Sequence, residues 1–281
     1  MKAKLRRFVV GDWSLVRLWK SGLWVLAGTY IGLMLLGLFL ANHIIFQPPQ
    51  ASYRDNPTIL KLKTSDGNHI SARYFKNKGS ELTILFSHGN AEDIGGLEGL
   101  AKKFIDAGLS ILVYDYHGYG TSEGQPTEAN AYRDIDAAYD YLTVNEEIDP
   151  ERIVLHGRSL GGAVSVDLAT RRPIGGLILE STFVSGFRVL TSIPLFPFDR
   201  LESGKKISRV RCPILVIHGM NDRIIPFWHG RRLFELSNEP RTCFWVPKAG
   251  HNNVAWIARG DYFKKIREFA TGIEKWKLSA R

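Results

Sequence analysis

The sequence predicts an α/β fold, with a mostly parallel eight-stranded sheet and helices on both of its faces. From residue 58 onward, short aliphatic or β-branched runs alternate with helix-compatible stretches. Runs such as LTILF and PILVI are continuously apolar, which is typical of strands covered on both faces. No linker rich in Gly, Pro or Ser divides this region. One domain is therefore expected over residues 54–281.

The predicted strands span residues 59–63, 71–75, 82–87, 110–114, 152–156, 176–180, 213–218 and 241–246. The predicted helices span residues 96–107, 127–142, 160–171, 227–237 and 253–271. No helix separates the first two strands, and the dipeptide Asp66-Gly67 between them favours a turn. We therefore expect the sheet to begin with an antiparallel pair.

The N-terminal region is a basic segment, residues 1–20, followed by an apolar one. The basic segment has six Lys or Arg and one Asp, so it carries five units of the formal net charge of +9. The next 33 residues contain no charged side chain, and Pro48-Pro49 ends the helical pattern. Because about 20 apolar residues cross a bilayer, we predict an uncleaved transmembrane anchor at residues 21–46. A cleaved signal peptide or a buried core helix is the alternative.

The charge distribution predicts the orientation of the transmembrane anchor and argues against nucleic-acid binding. Basic residues on the N-terminal side of a span indicate that this end is cytoplasmic, which places the folded domain outside the cytoplasm. The remaining charge of +4 is spread over 261 residues that also carry most of the acidic side chains. This is an ordinary solvated surface, so we expect no nucleic-acid partner.

Residues 157–161 read Gly-Arg-Ser-Leu-Gly, a G-x-S-x-G pentapeptide. It follows the predicted strand 152–156 and opens the apolar stretch LGGAVSVDLA. This strand–turn–helix arrangement is called a nucleophile elbow, because its sharp turn exposes the serine hydroxyl so that it can act as a nucleophile. We therefore predict Ser159 to be the nucleophile of a serine hydrolase, and an idle serine in a Gly-rich loop is the alternative.

A serine hydroxyl is a weak nucleophile and needs a general base, which a carboxylate orients. After an elbow of this kind, the acid and then the base follow on the loops after later strands. Asp222 follows the strand 213–218, and His251 follows the strand 241–246. We predict a triad of these two residues with Ser159, and Glu180 is the alternative acid.

Acyl transfer also needs backbone amides that stabilise the oxyanion of the tetrahedral intermediate. One donor is expected to be the amide of Leu160, directly after the nucleophile. The other belongs to the loop after the third strand, which begins His-Gly-Asn-Ala at residue 88. We predict the amide of Asn90, or that of Ala91 if the register differs by one residue.

Sequence motifs for cofactors are absent: there is no HExxH, EF-hand, clustered Cys/His, G-x-G-x-x-G or P-loop pattern. We therefore expect no metal and no nucleotide cofactor. The two cysteines, Cys212 and Cys243, form no C-x-x-C. An extracytoplasmic location would permit a disulfide between them, and two separate thiols are the alternative.

These motifs, together with FSHGNA at residues 86–91, YDYHGYG at 114–120 and IHG at 217–219, resemble the α/β-hydrolase superfamily. The resemblance covers about residues 58–270 and is closer to single-pass, membrane-anchored members. These are the bud-emergence-type hydrolases and the abhydrolase-domain relatives that include protein depalmitoylases. It implies an α/β-hydrolase fold with a short cap. The sequence departs from the family at His117, where Arg is usual, and it lacks the N-terminal Cys cluster of the depalmitoylases.

The cap of this fold corresponds to about 30 residues between the strands 176–180 and 213–218, and these are rich in Phe, Leu, Ile and Val. Such a segment suits an acyl group, although packing on the sheet also needs apolar residues. Together with the anchor, it favours hydrolysis of a carboxylic ester or thioester in a small-molecule or acyl substrate of lipid-like or lipidated kind. A peptidase or amidase on the same fold is the alternative, and so is a non-catalytic interaction protein.

Overall fold

The structure, a computed structural model, describes residues 15–191 and 193–280. The chain divides into two compact units, Met1–Ile44 and Ile45–Arg281. Helix α1, Leu15–Ile45, contains the described part of the first unit and ends at the first residue of the second. Its residues 17–45 are long and apolar enough to cross a membrane. The helix begins six residues before the predicted anchor. Most of the predicted basic segment, residues 1–14, lies outside the described residues.

An eight-stranded sheet forms the centre of the second unit, in the order β1-β2-β4-β3-β5-β6-β7-β8. Strand β2 is antiparallel to β1 and β4, and every other neighbouring pair is parallel. The predicted α/β sheet and its antiparallel start are therefore confirmed. The strands are β1 Leu60–Lys63, β2 His69–Phe75, β3 Thr83–Ser87, β4 Ser110–Tyr114, β5 Ile153–Arg158, β6 Gly176–Glu180, β7 Ile214–Gly219 and β8 Arg241–Val246.

Seven helices of the second unit are α2 Glu98–Asp106, α3 Glu128–Asp140, α4 Leu160–Ala169, α5 Ser203–Lys206, α6 Trp228–Leu236, α7 Val254–Ala258 and α8 Gly260–Ala280. The prediction of one continuous helix over residues 253–271 was wrong. Arg259 adopts φ 50° and ψ −129°, a left-handed conformation that an α-helix does not contain, so α7 ends there and α8 begins at the next residue.

The strands carry two apolar cores because successive side chains point to opposite faces of the sheet. Leu85 and Leu155 face one core, whereas Ile84, Phe86 and Val154 face the other, and each is 1% exposed or less. Burying a side chain of this size contributes about 1.5–3 kcal/mol. The sheet is thus a rigid platform for the loops at its carboxyl edge.

The strand order creates a crevice at this carboxyl edge. Strands β3 and β5 are parallel neighbours, with Ser87 opposite Gly157. The chain leaves β3 toward β4 on one side and leaves β5 toward β6 on the other. Ligands of open α/β sheets bind where the strand order reverses in this way. The loops after β3, β5, β7 and β8 are therefore the ones expected to carry functional residues.

His117, in the turn after β4, lies beside two carboxylates. The ring is fully buried, with Nδ1 paired to Asp134 on α3 and Nε2 3.3 Å from Asp66 Oδ2, in the turn between β1 and β2. Burial by itself would lower the pKa of His117, but hydrogen bonding and attraction to the two carboxylates outweigh burial and raise it. His117 thus ties the turn after β4 to two other parts of the fold.

The two cysteines are free thiols, so the disulfide alternative is not realised. Cys212 is buried just before β7, and burial raises the pKa of its thiol to about 12. Cys243 lies on β8, opposite Val216 of β7. Burial also raises the pKa of the Cys243 thiol, and a raised pKa lowers the reactivity of both thiols.

Candidate active site

Ser159 lies at the turn between β5 and α4, with φ 53° and ψ −116°. A non-glycine residue in such a conformation costs about 1–3 kcal/mol, so the surroundings must hold it. Its amide donates to the carbonyl of Glu180 on the neighbouring strand at 2.8 Å. The tight turn requires glycine nearby, since a Cβ on Gly161 would lie 2.0 Å from the Ser87 carbonyl oxygen. A Cβ on Gly157 would lie 2.4 Å from the Gly161 carbonyl oxygen.

The structure brings the three residues of the predicted triad together. His251 Nε2 is 3.0 Å from Ser159 Oγ, and His251 Nδ1 is 2.8 Å from Asp222 Oδ2. Asp222 lies on the loop after β7 and His251 on the loop after β8, 92 residues beyond the serine. Hydrogen bonding of Nδ1 to the carboxylate leaves Nε2 free to accept the hydroxyl proton.

The Asp222 carboxylate is held in its charged form. Burial by itself would raise the pKa of Asp222, but hydrogen bonds from His218 and His251 and from the Ile225 amide outweigh burial and hold it well below its usual value. Asp222 Oδ1 also accepts from the amide of Ile224 at 2.9 Å. The backbone amides therefore hold Asp222 Oδ1, and Asp222 Oδ2 orients His251.

The second predicted oxyanion donor lies on the loop after β3. The Gly89 amide donates to Glu92 Oε2 at 2.9 Å, and the Ala91 amide donates to Asn90 Oδ1 at 3.1 Å. Across residues 15–191 and 193–280, the amides of Asn90 and Leu160 have no acceptor. A Cβ on Gly89 would lie 3.6 Å from the Ser159 Cβ, so the loop lies against the serine. The Ala91 amide, the alternative donor, is already engaged.

The alternative acid, Glu180, is not brought to His251. Its Oε2 accepts from the Tyr262 hydroxyl at 2.6 Å and lies 3.0 Å from His156 Nε2. Burial favours protonation of Glu180, but the hydrogen bond and attraction to His156, with help from Arg158, outweigh it and lower the pKa. Glu180 therefore belongs to a buried polar cluster beneath the elbow.

The sequence reasoning missed an ion pair beside the serine. Arg158, the residue before Ser159, is paired with Glu92, and Glu92 also accepts from the Gly89 amide. Burial lowers the pKa of the Arg158 guanidinium, but attraction to Glu92 and Glu180 outweighs burial and raises it. The sequence did contain a signal for this ion pair, namely a charged residue inside the elbow pentapeptide. A charged side chain at such a partly buried position needs a partner of opposite charge.

The cap, residues 181–213, begins beside the nucleophile. The Thr182 hydroxyl donates to the Ser159 carbonyl at 2.6 Å. In the cap, the rings of Phe187, Phe196 and Phe198 pack with centroids 5.7–6.0 Å apart. A cavity of about 550 Å³ has an apolar lining that includes Val184, Phe196, Phe198, Trp228 and Leu236. Basic and acidic side chains complete its wall, and the lining does not include Ser159, Asp222 or His251.

Several proteins of known family are similar to this chain in sequence. The family described as serine aminopeptidase, S33, matches residues 79–196. The human alpha/beta hydrolase domain-containing protein 17B is 39% identical over 231 residues, which cover 79% of this chain and 78% of that protein. Protein 17C of the mouse is 38% identical over 214 residues, which cover 74% of this chain and 65% of that protein.

Solved structures with low sequence identity share the fold. An esterase from Pyrococcus furiosus has a TM-score of 0.68 at 18% identity and covers 80% of this chain and 98% of its own. An alpha-beta hydrolase from Vibrio vulnificus has a TM-score of 0.64 at 22% identity, covering 75% of this chain and 80% of its own. The chain therefore belongs to the α/β-hydrolase superfamily and, within it, to the family of the alpha/beta hydrolase domain-containing 17 proteins; it is a hydrolase.

Proposed function

We propose that the protein is a serine hydrolase that cleaves a carboxylic ester or thioester through an acyl-enzyme. The observation that carries this proposal is the hydrogen-bonded chain from Ser159 Oγ to His251 Nε2 at 3.0 Å and from His251 Nδ1 to Asp222 at 2.8 Å. Each atom has the position that its role in acyl transfer requires. The fold alone would not specify this chemistry, because unrelated activities share it.

The first half of the proposed reaction acylates the serine. Ser159 Oγ attacks the carbonyl carbon while His251 Nε2 takes the hydroxyl proton, and Asp222 stabilises the resulting imidazolium. The carbonyl oxygen becomes an oxyanion, which accepts hydrogen bonds from the free amides of Asn90 and Leu160. The intermediate collapses as the bond to the leaving alcohol or thiol breaks, and His251 returns the proton to that group.

The second half regenerates the enzyme. Water attacks the acyl carbon of the Ser159 ester while His251 Nε2 takes its proton, and the same two amides receive the oxyanion. Collapse breaks the bond to Ser159 Oγ, which regains a proton from His251. The products are a carboxylic acid and the free hydroxyl of Ser159, so no metal or redox group takes part in these steps.

The cap supports an acyl substrate over a peptide. Its three packed phenylalanines form an apolar surface, which favours an acyl chain as the group that the cap contacts. Two comparisons favour amide hydrolysis as the second candidate. One is the serine aminopeptidase family that matches residues 79–196. The other is a puromycin-hydrolyzing peptidase of Mycobacterium tuberculosis, with a TM-score of 0.59 at 16% identity, covering 70% of this chain and 37% of its own.

A substrate panel separates these candidates. We expect kcat/KM for p-nitrophenyl esters of graded chain length, and for a matched acyl thioester, to exceed that for aminoacyl amides by about 100-fold or more, because the amide leaving group is the poorer one and the cap is apolar. Hydrolysis of the amides at comparable rates would favour the peptidase. Failure to hydrolyse any of them and to react with a fluorophosphonate probe would favour the non-catalytic interaction protein.

We also propose that α1 spans a membrane, with its N-terminus cytoplasmic and the hydrolase unit extracytoplasmic. The span in α1 has 29 residues and exceeds the length a bilayer needs, and six basic residues precede or begin it. A periplasmic- or lumen-active reporter fused after residue 281 is expected to be active in cells. Activity of a cytoplasm-specific reporter at that position would reverse the orientation.

A further inference from the structure

Three residues, Ile45, Phe46 and Gln47, join the apolar helix to the hydrolase unit, and they pack on the oxyanion loop. Phe46 is 3% exposed and lies in the core on one face of the sheet. Ile45 and Gln47 on either side of it make backbone hydrogen bonds to the side chain of Asn90. These three residues, called the joining segment below, are thus held by both apolar and polar contacts.

The side chain of Asn90 connects this joining segment to the loop. Its Nδ2 donates to the Ile45 carbonyl at 2.6 Å. Its Oδ1 accepts from the Gln47 amide at 2.9 Å, from the Tyr119 hydroxyl at 2.6 Å and from the Ala91 amide at 3.1 Å. The Gln47 amide also donates to the Tyr119 hydroxyl at 3.1 Å. Several hydrogen bonds on one short side chain leave it a single orientation.

The backbone of the same residue is the oxyanion donor of the proposed mechanism. The Gly89 amide is held by Glu92 on one side, and the Ala91 amide is held by the Asn90 side chain on the other. The direction of the Asn90 amide is therefore set by both neighbours. Oxyanion stabilisation depends on donors that point at the charge before it develops, so a small change in this direction lowers kcat more than substrate affinity.

We propose that Asn90 is a positioning residue, through whose side chain the joining segment holds the oxyanion amide in its productive direction. This inference rests on the proposed function of Ser159 and of the Asn90 amide. The segment that joins the apolar helix to the hydrolase unit is then part of the catalytic apparatus and not merely a tether. Displacement of that segment lowers the rate of acyl transfer.

Two pairs of variants of the full chain test the proposal. Tyr119→Phe removes one hydroxyl that Asn90 Oδ1 accepts from, and Tyr139→Phe is its control. Tyr139 is equally buried on α3, and its hydroxyl donates only to the Pro173 carbonyl, at 2.8 Å. Gln47→Pro removes the amide that donates to Asn90, whereas Gln47→Ala keeps that amide.

The readouts are kcat and KM for a p-nitrophenyl ester, the rate of fluorophosphonate labelling, and the Tm. We expect Tyr119→Phe and Gln47→Pro to lower kcat and the labelling rate about tenfold, with KM changed less than about twofold. The Tyr139→Phe control is expected to keep kcat, and Gln47→Ala, which keeps the backbone amide, is expected to lose less kcat than Gln47→Pro. Tyr119→Phe and Tyr139→Phe are expected to lower the Tm by similar amounts, because each variant lacks one buried hydroxyl that forms hydrogen bonds in the wild-type protein.

The outcomes separate this proposal from the proposed function. Wild-type kcat in both Tyr119→Phe and Gln47→Pro, with an active wild-type enzyme, overturns the role of the joining segment and leaves the serine hydrolase intact. A rise in KM alone also overturns it, because the segment would then bind substrate. A wild-type protein that neither hydrolyses esters nor reacts with the probe overturns the proposed function, and this inference with it.

Discussion

Replacing Ser159 with alanine is expected to lower kcat for ester hydrolysis by about 10⁵- to 10⁶-fold and to abolish labelling by a fluorophosphonate probe. The substitution removes the hydroxyl that lies 3.0 Å from His251 Nε2, while the backbone and the glycine contacts of the turn are kept. Apart from that hydrogen bond, alanine leaves the contacts of residue 159 in place. We therefore expect little change in the Tm, and the measurement is single-turnover and steady-state hydrolysis beside gel-based labelling.

The matched control for this variant is Ser165→Ala. Ser165 is buried on α4, six residues after the nucleophile, and its hydroxyl lies 3.4 Å from that of Ser87. It loses the same atom without touching the proposed reacting groups, so kcat and labelling are expected to stay near wild-type values. Labelling that persists in Ser159→Ala and disappears in another serine variant would contradict the nucleophile assignment.

Asp222→Asn is expected to lower kcat by about 10⁴-fold with little change in KM. The amide is nearly isosteric, so the bonds from Ile224 and Ile225 to Oδ1 can be kept. The nitrogen of the amide cannot accept the proton of His251 Nδ1, and turning the amide to offer its oxygen would break those backbone bonds. The imidazole then takes the tautomer that carries a proton on Nε2, and it can no longer act as a base toward Ser159.

The pH dependence of the wild-type enzyme gives a second readout for Asp222. Its pKa is held well below the usual value, so it stays charged throughout the neutral and mildly acidic range. The stabilisation it provides is present above the pKa of an unfolded aspartate and is lost only as the pH falls through the depressed native pKa. The pH profile of wild-type kcat is therefore expected to show no ionisation step from Asp222 between about pH 6 and pH 8.

Glu180→Gln serves as the comparison for Asp222→Asn, since Glu180 was the alternative acid of the sequence analysis. Its carboxylate contacts Tyr262 and His156, and neither residue touches Ser159 Oγ. We expect the Tm to fall, because a buried charged network loses its anion. We expect kcat to fall less than about tenfold. A loss in Glu180→Gln equal to that in Asp222→Asn would mean that the acid of the triad had been misassigned.

The sequence by itself determined the elements and the order of the chemistry. Aliphatic or β-branched runs of five or six residues predicted all eight strands to within about two residues. The central strands were the clearest, because a strand buried on both faces is apolar along its length. The G-x-S-x-G turn and the two later strand ends predicted Ser159, Asp222 and His251 as one set. The loop after β3 likewise predicted an amide of Asn90 or Ala91.

Other features were decided only by the tertiary structure. Arg158 meets Glu92 across 66 residues of sequence, and Glu180 meets Tyr262 across 82. The break at Arg259 depends on a backbone conformation that the local helical pattern does not reveal. The joining segment reaches Asn90 across more than 40 residues.

The difference between the two groups of features comes from how far apart in the sequence the interacting residues lie. Hydrophobic periodicity and turn propensity act within a few residues, so they can be read from a single stretch of sequence. A hydrogen bond between distant side chains forms only after the core has packed and has set their distance and direction. The Asn90 amide is the clearest case. The sequence identified it as a candidate donor, and the contacts of its side chain with Ile45, Gln47 and Tyr119 exist only in the folded chain.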